Sequence, residues 1–214
     1  IINAAGSGST ITLTNSASGG YTLSGGAGVD NLTGGSGNDI ITGAAGADII
    51  VGGGGADSLT GGAANDSFTG GAGNDTFNVD LGTDAITDLG GGSGGDSDVL
   101  VVSSGAIANA TGIVSFTATN SSKNDGAANL TAKSTGGTII MTNSASGNYT
   151  ITGGAGTDTL TIQEAATANG SSLIPQISNI EIIQVTNNIA ADVTADDDTL
   201  TVALSSVTGI ESLA

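Results

Sequence analysis

The sequence predicts an all-β chain of short stacked repeats, stabilised by stacking and bound ions more than by a bulky core. Three observations predict it: Gly supplies 38 of 214 residues, a nine-residue motif tiles residues 25–78, and later stretches such as TLTIQ and EIIQV alternate like strands. So much glycine beside one Pro, two Tyr, three Phe and no Trp signals a repetitive backbone built on unusual dihedral angles. A conventional aromatic core is out of reach, and stability has to come from elsewhere.

Charge narrows the function. Two basic residues face 20 acidic ones, with no His, for a formal net charge of -18. Such a chain repels nucleic-acid phosphates and anionic membranes and attracts cations. With 10% charged residues and a mean hydropathy of +0.21 it is not an acidic disordered tail either. The acids are few and placed.

The absence of Cys and His removes disulfides, thiol chemistry, zinc sites and the usual nucleophilic triads. A two-carboxylate glycosidase would lack an aromatic sugar platform. The glycine runs lack the Gly-Lys-Ser/Thr ending of a phosphate loop. There is no signal-peptide pattern and no apolar run long enough to span a bilayer. The text opens inside strand-like sequence at Ile1 and stops at Ala214, so a longer parent protein, with any export signal outside this stretch, is expected.

The motif G-G-x-G-x-D-x-U-x, with U a large apolar residue, occurs six times head to tail: GGAGVDNLT, GGSGNDIIT, GAAGADIIV, GGGGADSLT, GGAANDSFT and GGAGNDTFN. It departs from the pattern only at Ala44 and Ala64, and a degenerate seventh unit, VDLGTDAIT, extends the array to residue 87. Six units in one register carry far more weight than one. The U residues Leu32, Ile41, Ile50, Leu59, Phe68, Phe77 and Ile86 are expected to pack inward as a thin, regular core.

This array resembles the RTX, or haemolysin-type calcium-binding, repeat family. The resemblance implies a right-handed parallel β-roll, a β-solenoid in which two nonapeptides form one 18-residue coil, six residues of each making a turn and three a strand. It also implies calcium ions held by the turns. The matching carboxylates are Asp30, Asp39, Asp48, Asp57, Asp66 and Asp75, with Asp84 from the degenerate unit. The matching turn glycines are Gly25, Gly26, Gly28, Gly34, Gly35, Gly37, Gly43 and Gly46. In the later units they are Gly52, Gly53, Gly55, Gly61, Gly62, Gly70, Gly71 and Gly73.

Elementary physics agrees with that implication. Calcium prefers several oxygen ligands. An 18-residue period puts Asp30, Asp48, Asp66 and Asp84 on one edge and Asp39, Asp57 and Asp75 on the other. Coils stack about 4.8 Å apart. Bare carboxylates at that spacing repel, and a divalent ion between them reverses the sign.

A longer repeat frames the array. STITLTNSASGGYTLSGGAGVDNLT at 9–33 returns as GTIIMTNSASGNYTITGGAGTDTLT at 137–161, which puts Asp158 in the place of Asp30. Two related modules are expected: 1–102 with the array at 25–87, and 137–214, β-rich with one repeat unit at 153–161. Residues 103–136, rich in Ser, Thr, Asn and Ala around Lys123 and Lys133, read as an exposed excursion between them. Asp88, Asp96 and Asp98 lie just after the array, outside its nine-residue register, as candidate end ligands. Asp198 sits in a repeat-like tail without glycines. Glu181 and Glu211 read as strand-edge residues or lateral ion ligands.

The Ile-Glu-aliphatic elements SNIEIIQV and TGIESLA, around sparse repeat units, resemble RTX-type bacterial surface-layer (S-layer) proteins. That likeness implies an extracellular, calcium-dependent structural protein, exported by type I secretion, whose main partner is itself in a lattice or filament. A stalk or folding segment of a secreted adhesin or hydrolase is the alternative. Neither nucleic acid nor membrane insertion is expected, and any contact with cell-surface polysaccharide would run through regions outside this chain.

Overall fold

The computed structural model describes residues 1–3, 8–12, 19–90, 96–119, 121–142, 148–165, 176–180 and 182–188. The chain begins with β1 (Ile2–Asn3), β2 (Thr10–Thr12), β3 (Thr22–Ala27), β4 (Asn31–Thr33), β5 (Ile40–Ala45), β6 (Ile49–Gly54) and β7 (Ser58–Ala63). It continues with β8 (Ser67–Ala72), β9 (Thr76–Val79), β10 (Thr83–Ile86), β11 (Val99–Val102), β12 (Ile107–Ile113) and β13 (Ser115–Ala118). After these come β14 (Lys123–Asn124), β15 (Ala127–Ala132), β16 (Thr138–Met141), β17 (Asn148–Thr152), β18 (Thr159–Ala165), β19 (Gln176–Ser178) and β20 (Ile182–Asn188).

Every pairing among these strands is parallel. In the array, odd-numbered strands stack on one face and even-numbered strands on the other, as expected when successive half-coils cross between two sheets. The front sheet runs β1-β3-β5-β7-β9-β11-β14, and the back sheet β2-β4-β6-β8-β10-β12-β15-β17-β19. A third, side sheet of order β13-β16-β18-β20 begins after the array. The fold is thus an all-β parallel solenoid.

Coil length explains the third sheet. In the array, Leu23 pairs with Ile41, Ile41 with Leu59 and Leu59 with Phe77, always one 18-residue coil on. Beyond it Thr83 pairs with Ile107, Ile107 with Ala127 and Ser115 with Thr138, and these longer coils have room for a third strand. The array strands β5, β6, β7 and β8 exceed three residues, because each runs on into the first glycines of the next unit.

The inward apolar residues form one continuous core. Leu32, Ile41, Ile50, Leu59, Phe68, Phe77 and Ile86 are all 0% exposed. Phe68 and Phe77 meet edge to face, centroids 6.1 Å apart.

Residues 103–136 correct the sequence reading, for they are solenoid coils and not an exposed excursion. Ala106, Ala108, Ala110, Ile113, Phe116, Ala118, Ala128, Leu130 and Ala132 are buried. Lys123 and Lys133 do stay exposed.

Two turn positions carry a side chain where the motif expects Gly. Ala44 and Ala64 adopt φ of 87° and 89°. An L-residue there costs about 1–2 kcal/mol, part of which Gly returns as lost chain entropy on folding, about 0.5–1 kcal/mol. Ala64→Gly is therefore expected to stabilise the folded protein by up to about 1 kcal/mol, read as a higher urea midpoint in saturating calcium. An unchanged or lower midpoint would show that the turn is not strained.

The described strands of the repeated segments keep one register between coils. Thr10 pairs with Asn31, and 128 positions later Thr138 pairs with Thr159. Their positions differ: β2 and β4 lie in the back sheet, whereas β16 and β18 lie in the side sheet. Residues 13–18 and 143–147 within these copies lie outside the described residues, as do Asp198, Glu181 and Glu211.

Candidate metal-binding seams

Each array Asp stands just before, or just inside, a strand, and its side chain turns back along the stack. On one edge, the backbone N–H of Asp30 donates to Asp48 Oδ1 (2.7 Å), that of Asp48 to Asp66 Oδ1 (2.8 Å) and that of Asp66 to Asp84 Oδ1 (2.9 Å). Ser9 N–H donates to Asp30 Oδ1 at the start of this column. On the other edge, Asp39 N–H donates to Asp57 Oδ1 (2.7 Å), Asp57 N–H to Asp75 Oδ1 (2.8 Å) and Asp75 N–H to Asp98 Oδ1 (2.9 Å). Tyr21 N–H donates to Asp39 Oδ1 at 2.7 Å. All of these carboxylates are buried, Asp98 the most exposed at 6%.

The second oxygens make the site. Oδ2 of Asp30, Asp48, Asp57, Asp66 and Asp84 is buried without a hydrogen-bond donor. Beside Oδ2 of Asp30, Asp48, Asp57 and Asp66 lies the first glycine of the same unit. A Cβ on Gly25 would collide with Asp30 Oδ2 and with the carbonyl of Gly43 one coil on. Gly43 stands in the same way against Asp48 Oδ2 and Gly61 O, and Gly52 against Asp57 Oδ2 and Gly70 O. Gly34 faces Asp39 Oδ2 and Gly52 O. At Gly25, Gly34, Gly43 and Gly52 a carboxylate oxygen of one coil and a carbonyl oxygen of the next thus meet at one hollow, which only a residue without Cβ leaves open.

Buried oxygens with no donor call for a cation. An all-oxygen set of carboxylate and carbonyl is what a hard divalent ion such as calcium takes, so the residues fit the ion that the sequence resemblance implies. Among the described residues no three ionisable side chains converge to hold an ion by themselves, so backbone carbonyls are indispensable.

Units differ in detail. In the second unit Gly35 N–H donates to Asp39 Oδ2 (2.7 Å), so that carboxylate is held from within its own turn. Gly26, Gly28, Gly46, Gly53, Gly55, Gly62, Gly71 and Gly73 supply the left-handed turns elsewhere, whereas Gly35 and Gly37 are not among the left-handed residues. Gly61 and Gly70 back Asp66 and Asp75.

The array end is closed by residues outside the motif. Asp98 continues the second column after an insertion, and its Oδ2 accepts Gly90 N–H at 2.7 Å. Asp88 accepts Gly70 N–H and Gly71 N–H (2.9 and 2.7 Å), which makes it a backbone cap. Asp96 Oδ2 is buried without a donor. Sequence reasoning missed the Asn residues at the fifth motif position. Asn38 and Asn65 accept the N–H of Ala56 and Thr83, 18 residues on, and Asn74 that of Ser97. Their recurrence before Asp in GSGND, AAND and AGND was the available signal.

Burial dominates the proton affinities. Asp57, Asp66 and Asp84 are pushed up to about 6 and Asp75 to about 7, first by desolvation and further by neighbouring Asp charges; the backbone N–H of the preceding Asp opposes this. Asp48 and Asp98 shift upward for the same leading reason. Folded carboxylates with raised affinity hold more protons than unfolded ones, so stability in the absence of metal is greatest in acid and falls as pH rises through 6–7. The metal-free protein is expected to keep more strand signal at pH 5 than at pH 8 by circular dichroism. A more folded state at pH 8 would contradict these seams.

Fold and site together define a calcium-binding β-roll, with carboxylate and carbonyl oxygens paired across its coils. Residues 24–59, 51–86 and 145–161 match the family model for the RTX calcium-binding nonapeptide repeat (4 copies). The chain thus carries RTX calcium-binding nonapeptide repeats, which are characteristic of proteins exported by type I secretion. No curated protein and no solved structure matches the chain.

Proposed function

We propose that the chain is a calcium-dependent extracellular structural module without catalytic activity: a self-assembling component of a bacterial surface layer or a similar lattice or filament, exported by type I secretion. The observation that carries this reading is where the array keeps its charge. Between residues 19 and 90 the acids are the seven buried seam aspartates plus Asp80 and Asp88, and there is no Lys or Arg. Calcium at the seams therefore leaves sheet faces of Ser, Thr and Asn, with Ile40 and Ile49 exposed among them, and almost no net charge. Metal-free copies repel, and loaded copies approach closely.

Low calcium inside the cell keeps the chain unfolded for export, and millimolar calcium outside folds it. The resemblance of SNIEIIQV and TGIESLA to surface-layer sequences supports the same reading. The stalk alternative draws support from the back sheet, whose nine strands continue from β2 to β19 and form a spacer.

Light scattering and negative-stain microscopy separate the two. Addition of millimolar calcium is expected to produce ordered assemblies that chelation reverses, while sodium chloride at equal ionic strength substitutes poorly. Monodisperse monomers in calcium at high protein concentration would overturn the assembly reading and leave the stalk.

A further inference from the structure

At β14, the last strand in the order of the front sheet, the solenoid interior changes character. Val79 and Val102 stack as inward apolar residues, and the next position in that column is Asn124. Ser122, two residues earlier and so on the same side of the chain, is buried as well. In the back sheet Tyr149 pairs with Ala128 and is buried like it. Ser122, Asn124 and Tyr149 are each at most 2% exposed.

Each carries an oxygen with nothing to bond. Ser122 Oγ, Asn124 Oδ1 and the Tyr149 hydroxyl are buried without a hydrogen-bond partner. Asn124 Nδ2, by contrast, donates to Asn148 O at 2.7 Å, which carries the amide across to the strand of Tyr149. None of the three belongs to an aspartate seam; Asp158, the carboxylate of the isolated repeat unit, bonds elsewhere, to Gly137 N–H at 2.8 Å. Buried polar groups in native interiors are paired, so three orphans along the path of one side-chain bridge call for a shared partner.

Their chemistry says what that partner is. The three oxygens are neutral, and Lys123 and Asp125, the charged residues flanking Asn124, are exposed, so nothing here favours an ion. The two hydroxyls can donate, and the amide oxygen can only accept. A molecule that accepts two hydrogen bonds, donates one and fits a closed interior is water, which makes about three bonds when buried in proteins.

We propose that Ser122, Asn124 and Tyr149 hold a buried water molecule that ties β14 of the front sheet to β17 of the back sheet, where the front column turns from Val to Asn. The water accepts from the hydroxyls of Ser122 and Tyr149 and donates to Asn124 Oδ1. It is a joint between sheets that owes nothing to the seam carboxylates, and it serves a lattice component and a stalk alike.

The test uses the calcium-loaded full chain. Magnetic relaxation dispersion of the water oxygen counts long-lived internal waters, and urea unfolding in saturating calcium reads their effect on stability. Tyr149→Phe and Ser122→Ala each remove one hydroxyl, and each is expected to lower the urea midpoint. The double variant is expected to lower it by less than the two shifts added together, because one water couples two side chains that share no direct hydrogen bond. It is also expected to lose one long-lived water.

A higher midpoint for Tyr149→Phe would show that the hydroxyl has no partner and would overturn the proposal. So would an unchanged water count in the folded double variant; coupling with that unchanged count marks a direct contact between the side chains. If the double variant does not fold, the midpoint and water count of Tyr149→Phe alone decide in the same way.

Discussion

Excess EDTA is expected to abolish the strand signal of residues 25–102 at pH 8. The seams give the reason. Five carboxylate oxygens, on Asp30, Asp48, Asp57, Asp66 and Asp84, are buried with no donor, and each unpaired buried charge costs several kcal/mol. The core between the sheets is one apolar side chain deep per half-coil, too thin to absorb such a sum, since domains as a whole are stable by only about 5–15 kcal/mol. Circular dichroism with and without chelator, after confirming that the metal is gone, measures the effect. A strand signal that survives full removal of metal at pH 8 would show that the buried carboxylates are tolerated without a cation.

Asp57→Asn is expected to move the midpoint of calcium-dependent folding to severalfold higher calcium, while Asp125→Asn leaves it nearly unchanged. Both remove one negative charge. At position 57 the amide can still accept Asp39 N–H through its oxygen, so the ladder is spared. Its nitrogen then takes the place of Oδ2 beside Gly70 O and puts a donor where an ion needs an oxygen. Asp125 is exposed in a turn, where water screens its charge. Titration of the two variants by circular dichroism decides the matter. Equal midpoints would mean that overall acidity controls binding and that the placement of each carboxylate does not.

The array was legible in the sequence because two constraints act on the same nine positions. A left-handed turn demands Gly, or at some cost Ala44 and Ala64, and the seam demands Asp at one register; few other sequences satisfy both. Asp98 was harder to place. Its 23-residue separation from Asp75 breaks the count in sequence, yet Asp98 Oδ1 still accepts Asp75 N–H and so keeps its place in the column.

Residues 103–136 were misread for the opposite reason. Ala106, Ala108, Ala110 and Ala128 occupy core positions without looking like core, because alanine is too small to mark a buried face in the sequence. Coils of unequal length also erase the period by which the array announces itself.

The duplicated segment has a structural consequence of its own. Its copies keep the same 21-residue coil, with Thr10 on Asn31 and Thr138 on Thr159, yet the first runs through the back and front sheets and the second through the side and back sheets. The register at these strands is therefore kept whichever sheets the coil runs through. Only axial continuity is fixed, because each coil must offer its neighbours a full row of amides and carbonyls.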